Sequence, residues 1–211
     1  MDKYPEIDSE LGVKLREICP ALVLASGSPN RRYVLENAGI NVTVRPQDIN
    51  EICGFSEPRL VVTTLSRQKM ESYTASGLFD RNMPALAIDT LVCLDGKLIG
   101  KPKDNEDAAS MLRSFSGRWH DVYSGMSVYR PADGKIIIVH ERTQVKFREL
   151  SESDIDWYIG TGEWRGAAGA YKIQKNGYRL IDEINGSLTN IIGMPLEKLI
   201  QVLSGAVESE Y

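Results

Sequence analysis

Short apolar runs alternate with segments of helical apolar spacing along the 211-residue chain. The runs at 21–25 and 85–88 are continuous and short, which is typical of buried strands. In 58–76 and 105–115, apolar residues recur every few positions on one face, which predicts amphipathic helices. Because helices and strands mix throughout, the pattern predicts an α/β or α+β fold with a partly antiparallel sheet.

Turn residues mark where several predicted elements begin and end. The pair Asp95-Gly96 between two apolar runs predicts a two-residue hairpin, and PADGK at 131–135 predicts a second one. Ser28 and Pro29 fit an N-cap followed by proline in the first helical turn. The other predicted elements are strands at 42–45, 91–94, 97–99, 122–129, 135–146 and 178–184, and helices over 28–39, from 151 onward and over 195–203.

Composition and charge exclude several classes of protein. The chain is 42% hydrophobic, which is enough for a core, and its formal net charge is −4. It therefore lacks the bulk basic character of nucleic-acid binding proteins, and no nucleic-acid partner is expected. A phosphate site would need a local cluster of Arg and Lys. No apolar run reaches about 18 residues and the first residues do not resemble a secretory signal, so no membrane association is expected.

Cysteine and histidine usage narrows the chemistry further. Cys19, Cys53 and Cys93 are far apart and form no CxxC pair, which is typical of reduced thiols in a cytoplasmic protein. The chain has only two histidines, which argues against a histidine-rich zinc site. The patterns GxxxxGK[ST], GxSxG and HExxH are all absent, which excludes the site types that they mark.

The segment LASGSPNRR at 24–32 leads from a predicted strand into a predicted helix. It places Arg31 and Arg32 on the first helical turn, beside small hydroxyl residues. Such a segment can bind phosphate, because the backbone N–H groups and dipole of a helix N-terminus favour anions. It is equally consistent with a capped helix that carries two solvated arginines.

Asp89 and Glu51 are the acidic candidates. Asp89 directly follows the apolar run at 85–88, and a carboxylate at the end of a strand lies at a sheet edge, where clefts form. The alternative is an aspartate in a turn. That alternative is weaker because Asp95 and Gly96 already supply the turn. Glu51 lies in a polar loop and is unremarkable on its own.

Lys101 and Lys69 are the basic candidates. Lys101 lies in the stiff loop GKPKD, where a lysine can bind phosphate as a point charge or simply face solvent. Lys69 lies on a predicted helix, where a solvated lysine is the usual case. A site for a polyphosphate and a divalent ion needs both signs, carboxylates for the metal and cations for the phosphates.

Four segments, in this order, resemble the Maf family of nucleoside triphosphate pyrophosphatases. They are LASGSPNRR, AIDTLVCLDGKLIGKPKD, SGRWHDVYSGMSV and GAAGAYKIQ with NGSLTNIIGMPL, and they extend over roughly 22–203. The resemblance implies a central mixed sheet with two lobes around a deep cleft, similar to inosine triphosphate pyrophosphatases. It also implies one domain over 21–211 after an N-terminal extension at 1–20. Family members are cytoplasmic and often dimeric, so a homodimer is expected.

The resemblance implies a reaction and a catalytic set. Water attacks the α-phosphorus of dTTP or UTP and releases pyrophosphate, with Mg²⁺ or Mn²⁺ as the cofactor. Asp89 matches the family's catalytic aspartate, a general base near the metal, and Glu51 matches an acidic residue that holds the metal or the water. Lys101 and Lys69 match phosphate-binding lysines of the family, and Lys101 is also expected to be one of the catalytic residues. Ser26, Arg31 and Arg32 would hold phosphates.

The resemblance also bears on the base. Thr90 after the aspartate and Gln174 in GAYKIQ match the subgroup that cleaves dTTP and UTP, and an amide can offer both donor and acceptor to a pyrimidine. Asn30 stands where that subgroup has arginine. Ala167 stands where it has lysine, and Arg165 is a candidate replacement. The alternatives are a purine or 7-methylguanosine triphosphate pyrophosphatase, and a non-catalytic nucleotide-binding regulator of cell division.

Overall fold

The computed structural model describes residues 9–210, which form seven helices and seven strands. Residues 1–8 of the predicted N-terminal extension and residue 211 of the predicted domain lie outside the described residues. The helices are α1 (Ser9–Ile18), α2 (Pro29–Asn37), α3 (Pro58–Ala75), α4 (Asn105–Phe115), α5 (Glu152–Thr161), α6 (Leu188–Ile191) and α7 (Leu196–Leu203). The strands are β1 (Ala21–Leu24), β2 (Asn41–Val44), β3 (Ala85–Leu94), β4 (Lys97–Ile99), β5 (Trp119–Arg130), β6 (Lys135–Phe147) and β7 (Ile181–Asn185).

All seven strands belong to one mixed sheet, as predicted. Its order is β2-β1-β3-β5-β6-β7, and β4 pairs with β3 beside β1. The β1–β2 and β1–β3 pairs are parallel, whereas the remaining pairs are antiparallel. Both predicted hairpins are present, and the positive φ angles of Asp95 and Gly96 suit the tight turn between β3 and β4.

The central strand β3 has a gap in its pairing along one edge. On that edge, β1 pairs with Ala85 and Leu86, whereas β4 pairs only from Val92 onward. The residues between these two partners include Asp89 and Thr90, which are partly exposed in an otherwise buried strand. Because neither β1 nor β4 pairs with the middle of β3, this part of the edge has no neighbouring strand, and a cleft lies beside it.

Helix α3 packs very closely on one face of the sheet. Gly125 of β5, which is paired with Asp89, allows this approach, because a Cβ atom there would lie 2.3 Å from the backbone of Val62 in α3. Side chains alternate between the two faces of a strand, so Asp89 points to the same side as Ala85 and Ala87, which pack against α3. Close packing at one glycine thus brings α3 within reach of the cleft.

Two apolar cores lie at opposite ends of the long strands and give the molecule its two lobes. One contains Leu86 and Ile88 of β3 and packs against α1, α2 and α7. The other contains Val92 and Leu94 of β3 and packs against α4 and α5. Leu15 of α1 is fully buried in the first core. The cleft at the middle of β3 lies between the two cores.

Several boundaries differ from those that the sequence predicts. The apolar runs at 85–88 and 91–94 form one continuous strand, so Asp89 lies in its middle and not at its end. The predicted strand at 178–184 is shorter, because 176–180 form a 3-10 turn before β7. Helix α6, with four residues, was not predicted. Within 9–210, no helix combines the length and the apolar character needed to cross a bilayer.

Candidate active site

The cleft beside β3 contains a cavity of about 930 Å³. Residues from both lobes line it, including the segment before α2, helix α3, strand β3, the loop after β4 and the turns at 166–175. Among the residues described, its lining has five basic side chains against two carboxylates. The cavity is therefore locally basic in an acidic chain, and Arg31, Lys69 and Lys101 are the three of these side chains that the sequence predicts as phosphate ligands. The structure brings nine of the ten predicted site residues to this lining: Ser26, Asn30, Arg31, Glu51, Lys69, Asp89, Thr90, Lys101 and Gln174.

One end of the cavity, here called the carboxylate end, contains Glu51, Lys69 and Asp89. The Lys69 ammonium on α3 lies 2.5 Å from Asp89 Oδ1 and 2.8 Å from Glu51 Oε1. The Lys69 and Asp89 side chains are only 13% and 16% exposed, whereas Glu51 is about half exposed. Low exposure strengthens the ion pair between Lys69 and Asp89, because solvent screens it less. The two carboxylates thus converge on one cation from two distant segments.

The donor chemistry of the carboxylate end fits a divalent metal. Glu51 and Asp89 present carboxylate oxygens around a single cation position, and such oxygens suit Mg²⁺ and Mn²⁺. Within the described part of the chain, no three side chains of His, Cys, Asp or Glu gather into a complete metal site. Mg²⁺ is commonly held by one or two carboxylates together with substrate phosphates and water, so two carboxylates are sufficient.

Arg31 on the first turn of α2 connects the segments around the cleft. Its guanidinium donates to Ser26 Oγ at 2.7 Å, to the Ile88 carbonyl at 2.8 Å, to Thr90 Oγ1 at 3.0 Å and to the Gly193 carbonyl at 3.1 Å. These bonds leave a single N–H without a partner among residues 9–210. Burial lowers the pKa of Arg31, and the nearby carboxylates of Asp89 and Glu51 oppose that effect. Arg31 therefore positions the cleft walls and keeps little capacity for phosphate.

Arg32 corrects the sequence prediction, because it does not line the cavity. Its side chain is 57% exposed and pairs with Glu36, one turn along α2, at 2.7 Å. Neighbouring residues of a helix point about 100° apart, so Arg31 and Arg32 leave α2 in different directions. Arg31 faces the cleft and Arg32 faces solvent. The interpretation as a solvated arginine therefore holds for Arg32, whereas Arg31 lines the cleft and donates to the segments around it.

The other end of the cavity, here called the amide end, contains Lys172, Gln174 and Lys175. Gln174 is only 4% exposed and lines the cavity, and its side chain has no hydrogen-bond partner within 9–210. A buried amide without a partner is costly unless water or a ligand satisfies it. Its carbonyl and NH₂ groups are therefore available to a ligand.

A buried histidine supports the wall of the amide end. Tyr171, which lines the cavity, shares a hydrogen bond of 3.0 Å with His120 Nε2. Burial lowers the pKa of His120 to about 3, so the ring is neutral at pH 7. The turn before Tyr171 also reaches the loop of Lys101, because the Gly169 N–H donates to the Gly100 carbonyl at 3.1 Å. This wall is fixed by neutral contacts.

The two lysines of the amide end were not predicted, although both are visible in the motif YKIQK. The predicted replacement for the missing lysine at Ala167 was Arg165. Its guanidinium instead lies over the Trp164 ring, 4.9 Å from the centroid, and Arg165 does not line the cavity. Lys172 and Lys175 flank Gln174 and do line it. Their positions on either side of Gln174 are the sequence signal that could have indicated them.

Comparisons with known proteins identify the family of this chain. A family model described as Maf-like protein matches residues 21–206. A dTTP/UTP pyrophosphatase of Anaeromyxobacter dehalogenans (strain 2CP-C) is 40% identical over 192 residues, which are 90% of this chain and 95% of the relative. One of Caldanaerobacter subterraneus subsp. tengcongensis is 38% identical over 88% of each chain. One of Pyrococcus furiosus is 38% identical over 86% of this chain and 93% of its own. This chain therefore belongs to the Maf family.

Proposed function

We propose that this protein hydrolyses dTTP and UTP to the monophosphate and pyrophosphate. The observation that carries the proposal is the carboxylate end, where Asp89 and Glu51 meet Lys69 inside a cavity with an excess of basic side chains. The triphosphate carries almost four negative charges, and more charge moves to the leaving pyrophosphate as the reaction proceeds. Fixed cations stabilise that shift most effectively where solvent is excluded. The relatives' names give the same activity.

Asp89 acts as the general base in this proposal. Its carboxylate accepts a proton from water while the water oxygen bonds to the α-phosphorus, and the bond from phosphorus to the bridging oxygen breaks. The electron pair of that bond leaves with pyrophosphate. A positioned general base contributes roughly 10²–10⁴-fold to such a reaction. The middle of strand β3 holds Asp89 in place, and Lys69 pairs with its carboxylate before substrate binds.

The cations have separate roles. Lys69 and Lys101 line the cavity and bind phosphate oxygens, so arriving phosphates compete with the carboxylates for the Lys69 ammonium. That exchange frees Asp89 to accept a proton. Glu51 and Asp89 would hold Mg²⁺ or Mn²⁺, which would supply further positive charge to the leaving group when bound. Arg31 keeps Ser26 and Thr90 in position around the phosphates.

The base binds at the amide end. The free amide of Gln174 offers one donor and one acceptor to the edge of a pyrimidine, and Asn30 lines the same cavity. A site that hydrogen-bonds to a substrate discriminates strongly against a base that leaves its groups unpaired. The preference for uracil and thymine therefore rests on Gln174.

A panel of nucleotides tests the proposal directly. Release of pyrophosphate is measured with dTTP, UTP, dCTP, dATP, GTP and 7-methyl-GTP, each with Mg²⁺, with Mn²⁺ and with excess chelator. We expect dTTP and UTP to give kcat/KM values about tenfold or more above the others, and chelator to abolish release. A preference for purines would replace the substrate assignment. Binding without pyrophosphate release from any nucleotide would identify a regulator instead.

A further inference from the structure

We propose that Lys172 and Lys175 form an anion-binding subsite at the amide end, which selects nucleoside triphosphates whose base carries a negatively charged substituent. This inference rests on the proposed function, because it takes the base to lie against Gln174. It adds a substrate class, pyrimidine triphosphates with an acidic group such as a carboxylate on the base. Neither lysine is needed to explain the cleavage of dTTP or UTP.

A tight turn holds the two lysines side by side. The N–H of Lys175 donates to the carbonyl of Lys172 at 3.3 Å. Gly177 packs on the same carbonyl so closely that a Cβ atom would lie 2.4 Å from its oxygen. The turn therefore needs glycine at 177, and both of its lysines line the cavity.

Both ammonium groups remain available to an anion. Lys172 Nζ donates to the Arg165 carbonyl at 2.8 Å, which fixes its position and leaves two N–H groups. The neighbouring Glu163 carboxylate accepts from the backbone N–H and the side-chain amide of Asn176 at 2.9 and 2.6 Å. Within residues 9–210, no carboxylate forms an ion pair with either lysine. Burial and the charge of Lys175 both lower the pKa of Lys172, and an anion between them would relieve that repulsion.

The contacts of the lysines distinguish this subsite from the carboxylate end. Lys69 pairs with Asp89 and Glu51, whereas Lys172 donates to the Arg165 carbonyl and pairs with no carboxylate within 9–210. The lysines at the two ends therefore have different partners. Since Gln174 lies between the two lysines in the turn, a base that contacts its amide would bring its own substituent toward them.

The test compares three substrates that differ at one position: dUTP, 5-hydroxymethyl-dUTP and 5-carboxy-dUTP. We expect the native protein to cleave 5-carboxy-dUTP with a kcat/KM about tenfold above that of 5-hydroxymethyl-dUTP, which is about 1.4 kcal/mol. In the variant Lys172→Gln/Lys175→Gln, that ratio should fall to about one, with dUTP cleavage within about threefold of the native rate. Lys103→Met, a lysine outside the cavity, is the matched control and should keep the tenfold ratio.

Two outcomes of this comparison overturn the proposal. Equal losses on all three substrates in the double variant would assign the two lysines to the triphosphate. If the ratio of the two kcat/KM values is unchanged in the double variant, the two lysines do not recognise the substituent on the base. The dissociation constants of 5-carboxy-dUMP and 5-hydroxymethyl-dUMP, measured by calorimetry, test the same preference without turnover. If the native protein cleaves no triphosphate but binds the carboxylated monophosphate about tenfold more tightly, the proposed activity fails and the subsite stands.

Discussion

The two ends of the cavity hold their polar groups in opposite ways. At the carboxylate end, Lys69 pairs with both Asp89 and Glu51, so charges are balanced within the protein. At the amide end, Gln174 has no hydrogen-bond partner within 9–210 and the lysines beside it have no paired carboxylate there. One end is organised by ion pairs and the other by packing around a neutral histidine.

This difference indicates what each end does. Charged groups that balance one another keep their geometry before substrate arrives, and they must exchange partners when phosphates enter. That behaviour suits chemistry, since preorganised charges stabilise the transition state without reorganising solvent. Unsatisfied groups on a rigid wall suit recognition, because only the correct ligand satisfies them. In the proposed function, the cavity thus separates catalysis from selection.

The largest expected effect comes from the carboxylate end. Asp89→Asn keeps the shape of the side chain and removes the base, so we expect kcat to fall about 10³-fold. Triphosphate binding, measured by calorimetry, should stay within about tenfold of the native value. Asp95→Asn is a matched control, because Asp95 lies in an exposed hairpin turn and pairs with Arg118 outside the cavity. Native turnover in Asp89→Asn would remove Asp89 from catalysis.

Local signals in the sequence predict much of this arrangement, and tertiary packing decides the rest. The Asp95-Gly96 hairpin needs only its own turn chemistry, and it forms as predicted. The sequence predicts that the strand ends at Asp89, because no local pattern shows that it continues past this polar residue along a cleft. One of the hydrogen bonds that occupy the Arg31 guanidinium goes to the Gly193 carbonyl, more than 160 residues away. No local pattern can indicate such a contact.

An effect of intermediate size is expected at the amide end, where stability should depend on His120. Its pKa is about 3 in the folded state, against about 6.5 in an unfolded chain, so the unfolded state binds more protons between these values. Stability from this group is complete above pH 6.5 and is lost as the pH falls toward 3. From pH 7 to pH 4.5 it should contribute a loss of about 2–3 kcal/mol.

Urea unfolding at pH 7 and pH 4.5 measures that loss. In His120→Gln, which does not titrate, the fall in unfolding free energy over this range should be smaller than in the native protein by about 2–3 kcal/mol. His140→Gln provides the matched control, since His140 lies on β6 and pairs with Glu210 outside the cavity. Identical pH dependence in the native protein and in His120→Gln would mean that His120 is not held neutral, and the contrast between the two ends would lose its basis.

The smallest effect is expected at Arg32, and the same substitution at the neighbouring Arg31 provides the comparison. Arg32→Ala should change kcat/KM by less than about twofold and the free energy of unfolding by about 0.3–0.5 kcal/mol, because an exposed pair with Glu36 contributes little. Arg31→Ala removes the same side chain one position earlier and leaves Ser26, Thr90 and two carbonyls without their donor, so kcat/KM should fall about 100-fold or more. Pyrophosphate release and urea unfolding measure both variants. Similar losses of activity in the two would mean that Arg32 contributes to the cleft as Arg31 does, against the outward direction of its side chain on α2.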